Sequence, residues 1–236
     1  MLEIHHIEND HLKDAYEQLY NDRPIRHTDS FYRWILKLLK PPKERSFLDI
    51  ACGQGRLVEL AAAYGVKAYG SDISFRAVRE NSTSGNGLLV CNGQALPFPD
   101  ACFDYITNIG SLEHFVDPIV GAQEMSRVLK IGGLACVLLP NTFGIFSTVL
   151  YALHTGRLAD DGQPIQRYAT RYKWQDLLES NGLKVIRTFK YECEWPLTLG
   201  DWGGYLRRPK ALVRLFLTPI LPLNLANSFV YICSRN

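Results

Sequence analysis

Residues able to do chemistry fall in four places along this chain. Asp49 stands four residues ahead of a glycine pair, Gly53-Gln54-Gly55, and Asp72 lies 19 residues beyond Gly53. Asn92-Gly93-Gln94 precedes a proline-rich turn, and Glu113-His114 follows an apolar run. Two glycines bracketing one residue let the backbone turn tightly and approach a ligand that a Cβ would obstruct. The N–H groups of such a loop, and of the helix it opens, then face the ligand. A carboxylate at Asp49 would repel a pyrophosphate but suits a cation. Val58 stands where a dinucleotide fingerprint wants its third glycine, and no Gly-Lys-Ser/Thr closes the loop, so neither phosphate motif is matched. Asp72 could accept two hydrogen bonds from a ribose diol. Glu113 and His114 are candidates for acid/base work.

These residues need elements to place them. Residues 46–50 form an apolar run ending at the loop, and Leu57, Val58, Leu60 and Ala61 open a helical pattern, which together read as strand, loop, helix. A second strand over 66–71 would put Asp72 at its carboxyl end, beside the glycine loop of a parallel neighbour. Further strands are expected over 87–91, 103–108, 134–140, 183–191 and 229–234. Helices are expected from Pro118, ended by Gly132 or Gly133 as a positive-φ cap, and from Trp174 to Ser180. Residues 10–40 carry two amphipathic helices, broken at Pro24 and ended by Pro41-Pro42. Alternating strands and helices indicate an α/β doubly wound sheet.

S-adenosylmethionine (SAM) carries an ammonium and a sulfonium and no phosphate. LDIACGQG (48–55) resembles motif I of the class I SAM-dependent methyltransferases, in their Methyltransf-11 or UbiE-like branch. Asp72-Ile73-Ser74 resembles the family's ribose-binding D-x-S, and NGQALPF (92–98) its segment after strand three. FDYITN, LEHF and ExxRVLKxGG resemble the following blocks. The resemblance covers roughly 45–140, then 173–191 and the last strand. It implies a Rossmann-like seven-stranded mixed sheet of order 3-2-1-4-5-7-6, strand seven antiparallel, with helices on both faces and lid insertions. It also implies SAM as cofactor, held by Asp49, Ala51, Cys52, Gly53, Gly55, Asp72, Ile73, Asn92, Gly93, Gln94, Asn108 and Leu112. Asn92 falls where the family's adenine-binding acid stands. Glu113 and His114 become the catalytic pair. The implied layout of 1–236 is one domain: an N-terminal helical lid (1–44) with Tyr16, Tyr20, Arg23 and Arg26 as lid candidates, a SAM-binding core (45–140), cap or acceptor insertions (141–172 and 192–227) and the last strand (228–236).

Composition agrees with one sizeable cored domain: 236 residues, 47% hydrophobic, net charge +2. No block of like charge suggests nucleic acid. Six cysteines without a CxxC pair read as reduced thiols in a cytoplasmic protein, and the polar N-terminus is no signal peptide. No metal is expected; His5-His6 reads as solvated surface. The methyl acceptor would be a small, amphiphilic molecule. Residues 205–225 are basic, then apolar, and too short and proline-broken to span a bilayer, so they read as a lid or as a peripheral membrane contact. The competing functions are a SAM-binding regulatory domain without turnover and a nicotinamide (NAD) oxidoreductase.

Overall fold

A computed structural model describes residues 1–5, 9–22, 25–80 and 87–235. Arg23, Pro24 and His6, singled out above, lie outside them. The strands are β1 (Leu2–His5), β2 (Ser46–Ile50), β3 (Lys67–Asp72), β4 (Gly87–Val90), β5 (Phe103–Ile109), β6 (Leu129–Pro140), β7 (Gln166–Tyr168), β8 (Leu183–Tyr191) and β9 (Ser228–Arg235). The helices are α1 (Asn9–Asp22), α2 (Asp29–Leu39), α3 (Arg56–Ala63), α4 (Phe75–Glu80), α5 (Pro118–Val128), α6 (Leu150–Thr155), α7 (Arg171–Ser180), α8 (Leu199–Leu206) and α9 (Pro209–Leu217).

Seven strands make one sheet in the order β4-β3-β2-β5-β6-β9-β8, which without β1 and β7 is the expected 3-2-1-4-5-7-6. β9 runs antiparallel to both neighbours. Side chains alternate between the faces of a strand, and the two cores follow. Leu48, Ile50, Ile106 and Val137 pack with Met125 of α5 and Trp174 of α7 on one face. Phe47 and Leu138 pack with Phe31 and Ile35 of α2 and Leu57 of α3 on the other. Helix α2 is therefore part of the core rather than of a lid.

One expectation fails locally. Helix α5 stops at Val128, and the chain is already extended at Leu129 (φ −75°, ψ 136°). Gly132 (φ +73°) is thus no helix cap; it sits where the β5–β6 register slips between Phe103↔Leu129 and Tyr105↔Leu134, a bulge that needs a left-handed residue. The insertion 141–172 carries structure of its own. It holds a π turn (Ile145–Val149), α6 and β7, and β7 pairs antiparallel with β1. Such a pairing across more than 160 residues leaves no mark in local periodicity.

Candidate functional site

The carboxyl ends of β2, β3 and β5 converge on a cavity of about 380 Å³, the place a doubly wound sheet reserves for ligands. Its walls include Asp49, Ala51, Cys52, Gly53, Asp72, Ile73, Asn92, Gly93, Gln94, Glu113 and His114. Gly55, Asn108 and Leu112, also expected there, do not reach it. Gly55 (φ +75°) is the N-cap of α3. Asn108 is fully buried between β2 and the 3-10 turn Leu112–His114; its amide donates to the Ile50 carbonyl (3.3 Å) and its oxygen accepts from Leu112 N–H (2.9 Å). Leu112 points into the hydrophobic core with no exposure. The turn after β5 rotates it inward and leaves Glu113 and His114 on the cavity side.

Ala51 takes up a left-handed conformation (φ +58°), costly for a residue with a Cβ. Replacing Ala51 by glycine should raise stability by about 0.5–1 kcal/mol, read as a higher denaturation midpoint at unchanged slope. Gly53 (φ +54°) donates its N–H to Asp72 Oδ2 at 2.8 Å, and Ser74 N–H donates to Oδ1 at 2.9 Å. Ser74, not Asp72, caps α4, its hydroxyl accepting from Ala77 N–H. Each Asp72 oxygen keeps a lone pair for a ribose hydroxyl. Asn92 accepts from Gln94 N–H (2.9 Å) through its side-chain oxygen, so its amide nitrogen is the group left to offer adenine. Gly93 is small for a different reason than close ligand approach: a Cβ there would come within 2.5 Å of the Phe115 ring.

Burial raises three carboxyl groups here. Asp49 is pushed to about 7 by desolvation, against the Thr107 hydroxyl bond (2.6 Å) that favours its charge and with Asp72 as a like-charged neighbour. Asp72 rises to about 6, again by desolvation, offset by the backbone N–H donors of Ser74, Gly53 and Ile73. Glu113 rises to about 8 by desolvation. His114 is lowered by burial. Its Nδ1 is bound to the Ile165 carbonyl, which places the proton there and leaves Nε2 as acceptor for Gln163 Nε2 (2.9 Å). Nε2 also lies 3.7 Å from both Glu113 Oε1 and Asp161 Oδ2. The turn that presents this pair is clamped by buried Arg167, which donates to the Glu113, Phe115 and Val116 carbonyls and pairs with Glu3 (2.7 Å).

The lid closes over this floor. Tyr16, Tyr20 and Arg26 line the cavity. Glu17, which no sequence signal marked, accepts from Phe75 N–H (2.5 Å), Arg76 N–H (3.1 Å) and the Ser74 hydroxyl (3.1 Å), so α1 caps α4. The first insertion adds Asp161 and Gln163, and Tyr191 and Ser228 complete the wall. The lining passes from Tyr191 directly to Ser228, so no residue of the second insertion, expected as cap, lines the chamber.

SAM fits these residues. A Cβ at Gly53 would lie 3.0 Å from Tyr20 Oη and fill the cradle. Glu113 Oε2 is buried with no hydrogen-bond partner among the described residues. Three buried acids suit a ligand bearing ammonium and sulfonium charge. An acid with a pKa near 7 must ionise to meet an ammonium, so affinity climbs as pH passes upward through that value. Between pH 6 and pH 8, calorimetric affinity for S-adenosylhomocysteine should rise about tenfold. An affinity flat over that range would sever Asp49 from the ammonium.

A family described as a methyltransferase domain matches residues 48–137. A demethylmenaquinone methyltransferase of Bacillus licheniformis is 32% identical over 184 residues, 72% of this chain and 79% of that protein. A ubiquinone/menaquinone biosynthesis C-methyltransferase UbiE of Stenotrophomonas maltophilia is 52% identical over 48 residues, 20% of this chain and 19% of that protein. Among solved structures, a SAM-dependent methyltransferase of Thermotoga maritima superposes with a TM-score of 0.64 at 18% identity, over 94% of this chain and 99% of the other, a likeness of fold.

Proposed function

The chain belongs to the UbiE-like branch of the class I SAM-dependent methyltransferases, and we propose that its acceptor is a hydroquinone bearing an apolar tail, methylated on a ring carbon. It is an enzyme of that class with SAM as cofactor, which removes the oxidoreductase alternative. Bound SAM supplies a methyl group already activated as a sulfonium, so the protein's part is to position, to exclude water and to take a proton. Asp72 holds the ribose hydroxyls and Asp49 balances the ammonium. Tyr16 and Tyr20 shield the chamber from water.

Glu113 is the observation that favours a hydroquinone. A carboxyl raised to about 8, on a residue that lines the chamber and has one buried oxygen without a partner among the described residues, is tuned to take a proton near neutral pH. Removing a proton from a hydroquinone hydroxyl sends electron density into the ring. The ring carbon would accept the methyl group that SAM supplies, loss of the ring C–H proton to solvent would restore the aromatic phenolate, and Glu113 would return the hydroxyl proton to it. His114, with its proton held at Ile165, orients the site rather than competing for that proton. The tail is supported by a second cavity of about 650 Å³, walled by Phe31, Trp34, Trp195 and Leu197, which shares Tyr191 with the chamber.

The test is anaerobic incubation with SAM and chemically reduced demethylmenaquinone of short prenyl tail, followed by mass spectrometry. A product heavier by one methylene supports the proposal. Methylation of simple phenols or amines, with the quinol left untouched, would refute it.

A further inference from the structure

The second insertion carries an unusual surface. Leu199 is 91% exposed, Leu206 69% and Ile220 76%. Val213 and Phe216 share one face of α9, both exposed, and Ile220 follows them in the next turn. Only Leu215 on α9 is buried. Soluble surfaces scatter single apolar residues, but a run of this kind marks a contact site. Leu153 of α6, 75% exposed, belongs to the neighbouring insertion, whose Phe146 ring lies 5.9 Å from the Arg214 guanidinium.

Charge narrows the partner. From Trp202 to Pro222 the chain has four basic residues and no acidic one. Arg214 is taken up by Glu192, 2.5 Å away. Arg207, Arg208 and Lys210 are exposed around the start of α9, with Lys210 one turn ahead of Val213. A bilayer with anionic headgroups offers phosphate for the cations and acyl chains for the apolar side chains in one surface. No helix among the described residues is long and apolar enough to cross a membrane.

We infer that the α8–α9 insertion docks peripherally on an anionic lipid bilayer, with Arg207, Arg208 and Lys210 on the headgroups and Val213, Phe216 and Ile220 in the interfacial layer. Trp195 and Leu197 of the same insertion wall the second cavity, so docking would bring that cavity to the lipid. Delivery of a tailed acceptor there rests on the proposed function; docking itself does not.

Vesicle flotation with the full chain tests it without any acceptor. Wild-type protein should float with phosphatidylcholine vesicles containing phosphatidylglycerol, more weakly as salt is raised, and not with phosphatidylcholine alone. The triple replacement Arg207→Ala, Arg208→Ala, Lys210→Ala should lower partitioning about a hundredfold. Phe216→Ser with Ile220→Ser should abolish what remains at high salt. All these side chains are exposed, and unchanged S-adenosylhomocysteine affinity will certify the fold. Three outcomes overturn the inference: wild-type protein that binds S-adenosylhomocysteine yet stays off anionic vesicles; a triple variant that floats like wild type; or a wild-type dimer, free of vesicles, that Phe216→Ser turns into a monomer, which would assign the patch to a second copy of the chain.

Discussion

Asp72→Ala will lower affinity for S-adenosylhomocysteine by roughly two to three orders of magnitude, to the edge of calorimetric detection. Two effects combine. The variant loses the acceptor of two ribose hydroxyls, and charge-assisted hydrogen bonds contribute about 1.5–3 kcal/mol each. It also frees the Gly53 and Ser74 N–H groups that Asp72 now holds at 2.8 and 2.9 Å, so the glycine loop loses its tie to β3. Asp72→Asn keeps one acceptor oxygen and should fall between. Thermal unfolding separates a lost ligand from a lost fold. An Asp72→Ala protein that unfolds like wild type and binds within about threefold of it would remove Asp72 from the ribose site.

Glu113→Gln will lower turnover of the quinol acceptor by roughly 10²–10⁴-fold, the range of a lost general base, with affinity for S-adenosylhomocysteine nearly unchanged. The pH profile is the sharper reading. Because burial raises Glu113 to about 8, the base form grows as pH rises. Wild-type kcat should therefore increase through that region and level off above it, and the rise should vanish in Glu113→Gln. His114→Ala removes a partner held by Ile165 and Gln163 and should cost less, without moving the profile. A profile identical in wild type and Glu113→Gln would return the proton to water.

The glycine loop and both carboxylates are legible in the sequence because each rests on local facts, whereas the strand order followed only from the family resemblance. An apolar run of five residues, a left-handed glycine and an N-terminal proline constrain only their own neighbourhood. The helix expected to end near Gly132 shows where that limit lies. Its residues permit a longer helix, and the strand pairing of Leu129 with Phe103 overrides it.

The occupants of the chamber were harder to read for the same reason. Asn108 and Leu112 lie in the right stretch but face inward, since strand register and the turn after β5 decide which side chain meets the cavity. Glu17, Asp161 and Gln163 come from segments far along the chain, and their types alone distinguish them from ordinary surface residues in no way. Arg167 carries no sequence signal that sets it apart, yet it is 4% exposed and holds the turn carrying Glu113.

The amino-acid sequence by itself determined a doubly wound sheet, the glycine loop between Asp49 and α3, and Asp72 at the end of the next strand, because spacing along a parallel β-α-β unit leaves little freedom. The tertiary structure alone decided that Glu113 is buried and unpartnered, that α1 caps α4 through Glu17, and that the second insertion turns its apolar residues outward. Burial, hydrogen-bond satisfaction and exposure depend on what distant segments bring to the same place, and no window of sequence contains that information.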